Sequence, residues 1–373
     1  MDTLIIGASL SGLAAAACLQ QQGLGYIIIE KEDRIAAPWH NHYERLHLHT
    51  SKKYSHLPFL KFPAGVGRYP GRREVLTYLD EYRHSFGIAP RFGVRALSVI
   101  RDGQYWVTET TAGEIRSKYL IMATGAFGKP RPVHFTGVDD FPGPVLHSSD
   151  YKTGADFKGR RVLVVGFGNS ACEIAIDLYE QGALPSMAVR SAVNVVPRDV
   201  LGIPIQTLSL LLNRLPPPVA DAISAPLVRG LIGDIKRLGL RKMPYGPLEQ
   251  IRRDGRAPVL DIGTIRHIRQ GHITIHGDVA RIEGSRVVFE GGQSAEFDAI
   301  VAATGYDPGD LSILQVNPVR VEDLRFSTAR QACFGEDELY FCGYWISPTG
   351  QIREIGLDAQ RIARDIAGKE GCR

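Results

Sequence analysis

Residues 4–30 constrain the fold of this chain more than any other stretch. They read Leu4-Ile5-Ile6, then Gly7-Ala8-Ser9-Leu10-Ser11-Gly12, an Ala-rich run, and Tyr26-Ile27-Ile28-Ile29-Glu30. A buried strand, a glycine turn, a helix and a second strand closed by an acid are the parts of a dinucleotide-binding βαβ unit. In that reading Gly7 makes the turn, Ser9 stands where backbone approaches a pyrophosphate, and Gly12 lets helix pack on strand. Ser9 replaces the usual second glycine and is small enough to permit the same approach. The first N–H groups of the helix then face the phosphates. Glu30, eighteen residues past Gly12, is expected to accept hydrogen bonds from ribose hydroxyls and to repel a 2′-phosphate, which selects FAD or NAD over NADP. The alternative is an ordinary α/β unit with a glycine in its turn.

The arrangement recurs. Val162-Leu163-Val164-Val165 leads into Gly166-Phe167-Gly168-Asn169-Ser170-Ala171, a helix to Gln181, and a strand over 186–189 that ends in Arg190-Ser191. Arg190 lies twenty-two residues past Gly168, where the first unit carries its acid. An Arg there pairs with a 2′-phosphate, so the second unit reads as an NADP(H) site, with Arg198 a further cation. Plain solvated charges at Arg190 and Arg198 are the alternative. Each unit is followed by an Ala-Thr-Gly turn, at 123–125 and 303–305. A late strand, 339–343, and a closing helix over 351–367 are left to complete the first unit. The expected fold class is therefore α/β, with two Rossmann-like dinucleotide-binding domains, the second inserted into the first. The boundaries read as 1–150 for the first part of the first dinucleotide domain, 151–305 for the NADP(H) domain, and 306–373 for the C-terminal part of the first domain.

Between these anchors the spacing of apolar residues predicts a helix over 73–86 and strands over 94–100, 105–110 and 116–122. Short strands are expected across 273–289. Residues 202–239 are apolar, with Pro216-Pro217-Pro218 in the middle. They read as a helical cap over a buried pocket or, alternatively, as a membrane-touching patch. His47, His49 and His56 lie in an aromatic loop that is either a polar cover for a cofactor or a metal site. The net charge of +4, from 44 basic against 40 acidic residues in 373, suits an anionic cofactor without calling for nucleic acid. The cysteines Cys18, Cys172, Cys333, Cys342 and Cys372 form no CxxC pair, so neither a metal site nor a disulfide framework is expected. Cys18 and Cys172 read as core residues. No signal peptide and no apolar run of membrane-spanning length is seen, and a cytoplasmic protein without an integral membrane segment is expected.

Residues 141–152, Phe141-Pro142-Gly143-Pro144-Val145-Leu146-His147-Ser148-Ser149-Asp150-Tyr151-Lys152, match the FxGxxxHxxxYK signature of class B flavin-dependent monooxygenases. The late Ala303-Thr304-Gly305-Tyr306 resembles that family's ATGY element. Within the class the chain is most similar to the plant YUCCA enzymes, through residues 193–198, 246–249 and 258–263. The resemblance implies FAD on Gly7, Ser9, Gly12, Glu30, Trp39 and His40, and NADPH on Gly166, Gly168, Asn169, Ser170, Arg190 and Arg198. Lys31, Thr124, Gly125, Gly343 and Gln351 join the candidate flavin contacts, and Ser191 the NADPH contacts. It further implies an NADPH-dependent monooxygenase that uses O₂, forms a flavin (hydro)peroxide and oxygenates a small organic substrate. The first expectation is oxidative decarboxylation of an aromatic 2-oxo acid such as indole-3-pyruvate. Alternatives are N- or S-oxygenation, Baeyer–Villiger chemistry or, from another class, an NAD(P)H reductase serving a protein partner. The cofactor carries the chemistry, so no catalytic side chain is assigned. His147 reads as structuring the linker, with proton transfer the alternative. The helix start near Gly350-Gln351 is expected to aim its N–H groups at the flavin's pyrimidine edge. Two departures stand out. Thr50-Ser51 occupies the place of the Asn that N- and S-oxygenating members carry, and Ala126-Phe127 the place of a YUCCA Glu-Asn. The hydrophobic C-terminal anchor of microsomal relatives is absent, so a soluble form is expected.

Overall fold

Both apolar runs of each glycine fingerprint become parallel strands, because they are largely buried and have a helix to cross over with. The computed structural model describes residues 2–132, 134–212, 214–309, 311–315 and 334–371. Cys333, Cys372 and residues 316–333 of the expected C-terminal FAD segment lie outside them. The chain divides into two units. One holds Met1–His40, Thr50–Lys129 and Tyr306–Arg373, the other Asn41–His49 and Pro130–Gly305.

The first unit carries a four-stranded parallel sheet in the order Tyr26–Ile29, Thr3–Ile6, Tyr119–Met122, Leu339–Phe341. The helix Leu10–Gln21 is buried from Ser11 to Leu19. Its alanines let the closing helix Gln351–Lys369 pack directly on it. A three-stranded antiparallel meander, Ala96–Asp102, Tyr105–Thr110 and Gly113–Ser117, follows the helix Arg72–Ser85. The expected single strand over 116–122 is two strands in two sheets. Gly113–Ser117 is mostly exposed, whereas Tyr119–Met122 is wholly buried. Lys118 marks the crossing and holds its charge against Glu370 at 2.5 Å.

The second unit repeats this plan. Its parallel sheet runs Thr274–His276, Leu184–Ala188, Arg161–Val165, Ala299–Ala302, Val145–His147. Its meander is Val279–Glu283, Arg286–Phe289 and Ser294–Glu296. Residues 202–239 form the helices Ile205–Leu212 and Pro217–Ile232 and a 3₁₀ turn, Ile235–Leu238. Pro217 suits the first turn of its helix, where an N–H has no intrahelical partner, and Gly233 ends it at φ +76°. On their inner side Ile232, Ile235 and Leu240 join the unit's core with Met187 and Val195.

Two expected boundaries move. The second unit begins at Pro130 rather than 151, because Val145–His147 adds an edge strand to its sheet and Phe141 packs with Leu163 and Val165. It also takes in Asn41–His49, which the sequence gives no reason to separate from the first domain.

Candidate functional site

The first fingerprint is built as its glycines require. Gly7 has φ +107°, and a Cβ on it would lie 2.9 Å from the carbonyl oxygen of Ala123. A Cβ on Gly12 would lie 1.9 Å from the oxygen of Gly7, so helix and turn touch backbone to backbone. Glu30 reaches across from the neighbouring strand. Its Oε2 accepts from Ala8 N at 2.8 Å and its Oε1 from Glu32 N at 3.1 Å. Ser9 caps the helix without a side-chain hydrogen bond, and the first turn holds no acid. Its N–H groups therefore remain open to an anion. Ala36 N donates to Ala8 O at 3.1 Å, which brings the short helix Ala37–Asn41, with Trp39 and His40, toward the same turn. Burial, with Arg34 and Arg72 adding to it, holds the His40 pKa below the usual histidine value. Lys31 is exposed beside Glu32. Gly125, at φ +77°, faces open space, while Thr124 Oγ1 bonds Tyr344 Oη at 2.5 Å. An uncapped helix end, an acid over the turn and open glycines fit an adenine dinucleotide without a 2′-phosphate.

The second fingerprint repeats the geometry with the opposite charge. Gly166 has φ +121°, and a Cβ there would lie 2.6 Å from Ala303 O. In both units, then, the turn's first glycine abuts the alanine of an Ala-Thr-Gly turn, which accounts for that repeat. A Cβ on Gly168 would meet nothing within 4 Å, so the backbone there faces open space in front of an uncapped helix, Asn169–Glu180. Asn169 Oδ1 accepts from Leu260 N at 2.8 Å, leaving its amide N–H groups for a ligand. Ser170 follows in the first turn. Arg190 and Ser191 are exposed just past the strand Leu184–Ala188. Arg241, which sequence reasoning missed, donates to the Arg190 carbonyl and so sets a second guanidinium beside it. Arg198 is held by Asp199 at 3.2 Å.

The signature residues hold the second unit together. A Cβ on Gly143 would lie 2.2 Å from Asp298 O. His147 Nδ1 accepts from Ser149 N at 3.1 Å, and Nε2 donates to Gly305 O at 3.2 Å. Burial lowers the His147 pKa, with the Gly305 carbonyl opposing, so the ring is neutral at pH 7. Tyr151, fully buried, donates to Asp177 Oδ2 at 2.6 Å, and Gly154 N donates to the same oxygen at 2.8 Å. Lys152 Nζ donates to Ser149 O at 3.1 Å and to Asn41 O.

The histidine loop splits. Residues 41–49 form a strap on Glu173, which is 1% exposed in the second unit's fingerprint helix. Tyr43 Oη donates to Glu173 at 2.9 Å, His47 N at 3.2 Å and His49 Nε2 at 3.3 Å, while Arg45 Nη1 lies 3.8 Å away. Burial alone would raise the Glu173 pKa, but the hydrogen bonds from His47, His49 and Tyr43 bring it down to about 2. In turn Glu173 raises the His47 pKa. His56 stays in the first unit, with Nδ1 on Leu57 O at 2.9 Å. Among the described residues no three His, Cys, Asp or Glu are grouped to hold a metal.

The family model for pyridine nucleotide-disulphide oxidoreductases matches residues 4–200. The indole-3-pyruvate monooxygenase YUCCA6 of Arabidopsis thaliana is 38% identical over 97% of this chain and 89% of its own length. The indole-3-pyruvate monooxygenase YUCCA1 of Oryza sativa subsp. japonica is 38% identical over 83% of this chain and 79% of its own. This chain belongs to the YUCCA family of flavin monooxygenases. A solved flavin-containing monooxygenase from Stenotrophomonas maltophilia shares the fold, at TM-score 0.72 and 22% identity, covering 99% of this chain and 98% of that one.

This YUCCA-family chain is accordingly an FAD-containing, pyridine-nucleotide-dependent monooxygenase. Its described cysteines, Cys18, Cys172 and Cys342, are buried, and burial pushes the Cys18 and Cys172 thiols up to about 12. Such thiols stay protonated and inert, which leaves them no part in a disulfide relay. Two expected contacts have structural duties. A Cβ on Gly343 would lie 2.2 Å from Ser11 Oγ, so this glycine lets the last strand meet the first helix. Gln351 Nε2 donates to Gly343 O at 2.8 Å. The closing helix starts at Gly350 with no side-chain cap, but Glu354 lies in its first turn with Arg353 at 2.9 Å, so its positive end is partly answered already. The buried acids of the second fingerprint helix did leave a signal. Glu173 and Asp177 stand four apart in the otherwise apolar stretch 171–178 of their helix, and buried acids require partners.

Proposed function

We propose that this monooxygenase oxidatively decarboxylates an aromatic 2-oxo acid, with indole-3-pyruvate the first candidate. The observation that carries the reading is 38% identity to the Arabidopsis indole-3-pyruvate monooxygenase along nearly the whole chain. In this reading the open N–H groups after Ser9, with Gly7, Gly12 and Glu30, hold FAD. Those after Gly168, with Asn169, Ser170, Arg190, Ser191 and Arg198, hold NADPH, and Arg241 joins them. Trp39, His40, Lys31, Thr124, Gly125, Gly343 and Gln351 complete the flavin surroundings. When bound, FAD would supply the redox and oxygen chemistry and NADPH the reducing equivalents. The chain's part is to bind, orient and keep water out. Supporting this division, His147 is neutral and engaged at both ring nitrogens by its own unit, so it is not assigned a proton-transfer step.

The test is turnover of indole-3-pyruvate, phenylpyruvate and trimethylamine by the purified flavoprotein, with product identification under air and under nitrogen. The proposal expects O₂-dependent loss of CO₂ from an aromatic 2-oxo acid. Oxygenation of the amine alone would refute the substrate class. Continued NADPH oxidation under nitrogen with an artificial acceptor, and no oxygenated product under air, would point to a reductase.

A further inference from the structure

The water-facing apolar residues between 201 and 231 are the feature that nucleotide chemistry leaves unused. The helix Pro217–Ile232 is turned inside out. Its one acid, Asp221, faces inward and accepts from Leu248 N at 3.0 Å and Glu249 N at 2.9 Å, capping the helix Pro247–Asp254. Gly246 leaves the room for this, since a Cβ there would lie 2.3 Å from Asp221 Cγ. With rotation pinned by Asp221, Val219, Ile223, Leu227 and Leu231 face solvent. Steps of four residues advance about 40° around a helix, so these four span about 120°. Ala222, Pro226 and Gly230 fill out that exposed face, and Arg229 borders it.

The preceding segment adds to the exposed apolar surface. Leu211 is 70% exposed. Leu201, at the tip of the hairpin Asp199–Val200 to Ile203–Pro204, is 91% exposed and sits at φ +48°, a conformation that a leucine rarely adopts. The charge of the segment is just as one-sided. Residues 201–242 contain six Lys and Arg and two Asp, a net +4 that equals the charge of the whole chain. All six cations are exposed; of the two acids Asp221 is buried, while Asp234 is exposed and lies 3.9 Å from Arg237. A second copy of this face would set cation against cation. A surface with an anionic rim and an apolar interior complements it.

We propose that this face docks on an anionic lipid bilayer, its Leu and Ile side chains entering the acyl boundary while Arg214, Arg229, Lys236 and Arg237 meet lipid phosphates. The contact is peripheral, since among the described residues no helix is long and apolar enough to cross a membrane. The FAD-loaded enzyme is sedimented with vesicles of phosphatidylcholine alone and of phosphatidylcholine with phosphatidylglycerol. Binding is expected only to the second kind and is expected to weaken severalfold at high salt. The double variant I223D/L227D should lose about tenfold or more in vesicle binding while oxidising NADPH in solution at the wild-type rate. K236E/R237E should bind less, and an L227W reporter should shift its emission to the blue on anionic vesicles. No binding to anionic vesicles at low salt, or undiminished binding of I223D/L227D, overturns the proposal. So does a wild-type dimer in light scattering that I223D/L227D breaks without any vesicle binding, which would make the face a contact between copies.

Discussion

Replacing Glu173 by Gln should release the strap of residues 41–49 and unfold the second unit early. Glu173 is 1% exposed and takes hydrogen bonds from Tyr43, His47 N and His49, with Arg45 3.8 Å away. At that separation the attraction to Arg45 is about 4 kcal/mol gross for an effective dielectric of ~20, before the cost of burying the carboxylate is counted. Removing one partner of a buried charge cluster costs about 3–5 kcal/mol; Gln keeps one acceptor oxygen, so about 3 kcal/mol is expected. For a unit of about 185 residues that lowers Tm by about 6–12 °C. Thermal unfolding followed by circular dichroism gives the shift, and trypsin cleavage at Arg45 reports the strap directly. The pH dependence has a defined sign. The Glu173 pKa is depressed from 4.5 to about 2, so its contribution is complete above 4.5 and is lost as pH falls between those values. The His47 pKa is raised, so its contribution is complete below 6.5 and fades as pH rises through the raised value. The gap between wild type and variant should therefore be largest near pH 5–6, somewhat smaller at pH 8, and should close in acid. A Tm fall under about 2 °C with unchanged cleavage at Arg45 would refute the reasoning.

The glycines of the two fingerprints should separate by what surrounds them. Gly12→Ala and Gly166→Ala force a Cβ to within 1.9 Å and 2.6 Å of a carbonyl oxygen and should cost FAD content and stability respectively, read as bound flavin and Tm. Gly168→Ala meets no protein atom and should leave Tm unchanged while raising the KM for NADPH. Arg190→Ala or Arg241→Ala should raise the NADPH KM about 10–100-fold by removing a charged hydrogen bond to the 2′-phosphate, with the KM for NADH unmoved. Arg198→Ala should do less, because Asp199 already holds that guanidinium. In an NMR titration His147 should titrate below the usual histidine value and His47 above it, and His147→Gln should lower Tm without moving the pH profile of turnover.

The chain's local pattern was enough to specify two βαβ units with nucleotide-type turns, and it carries the expectation that their preferences are opposite. Strand, turn and helix there are near neighbours in sequence, and the phosphate site follows from glycine geometry and helix ends. Glu30 against Arg190 is likewise a matter of one charge at one register position. Tertiary structure alone decided what those residues lean on. Gly7 and Gly166 need Ala123 and Ala303, more than a hundred residues away, and Glu173 needs a strap that lies 130 residues upstream at Tyr43. The signature around His147 shows the limit most clearly, since its conspicuous residues turn out to hold backbone carbonyls and a buried acid in their own unit. The outward leucines of Pro217–Ile232 show the same limit. Composition marked the segment as apolar, but only the contact of Asp221 with Leu248 and Glu249 fixed which way the helix faces. A pattern of apolar residues fixes which faces pair within an element. Which partner each face meets depends on contacts that no local pattern encodes.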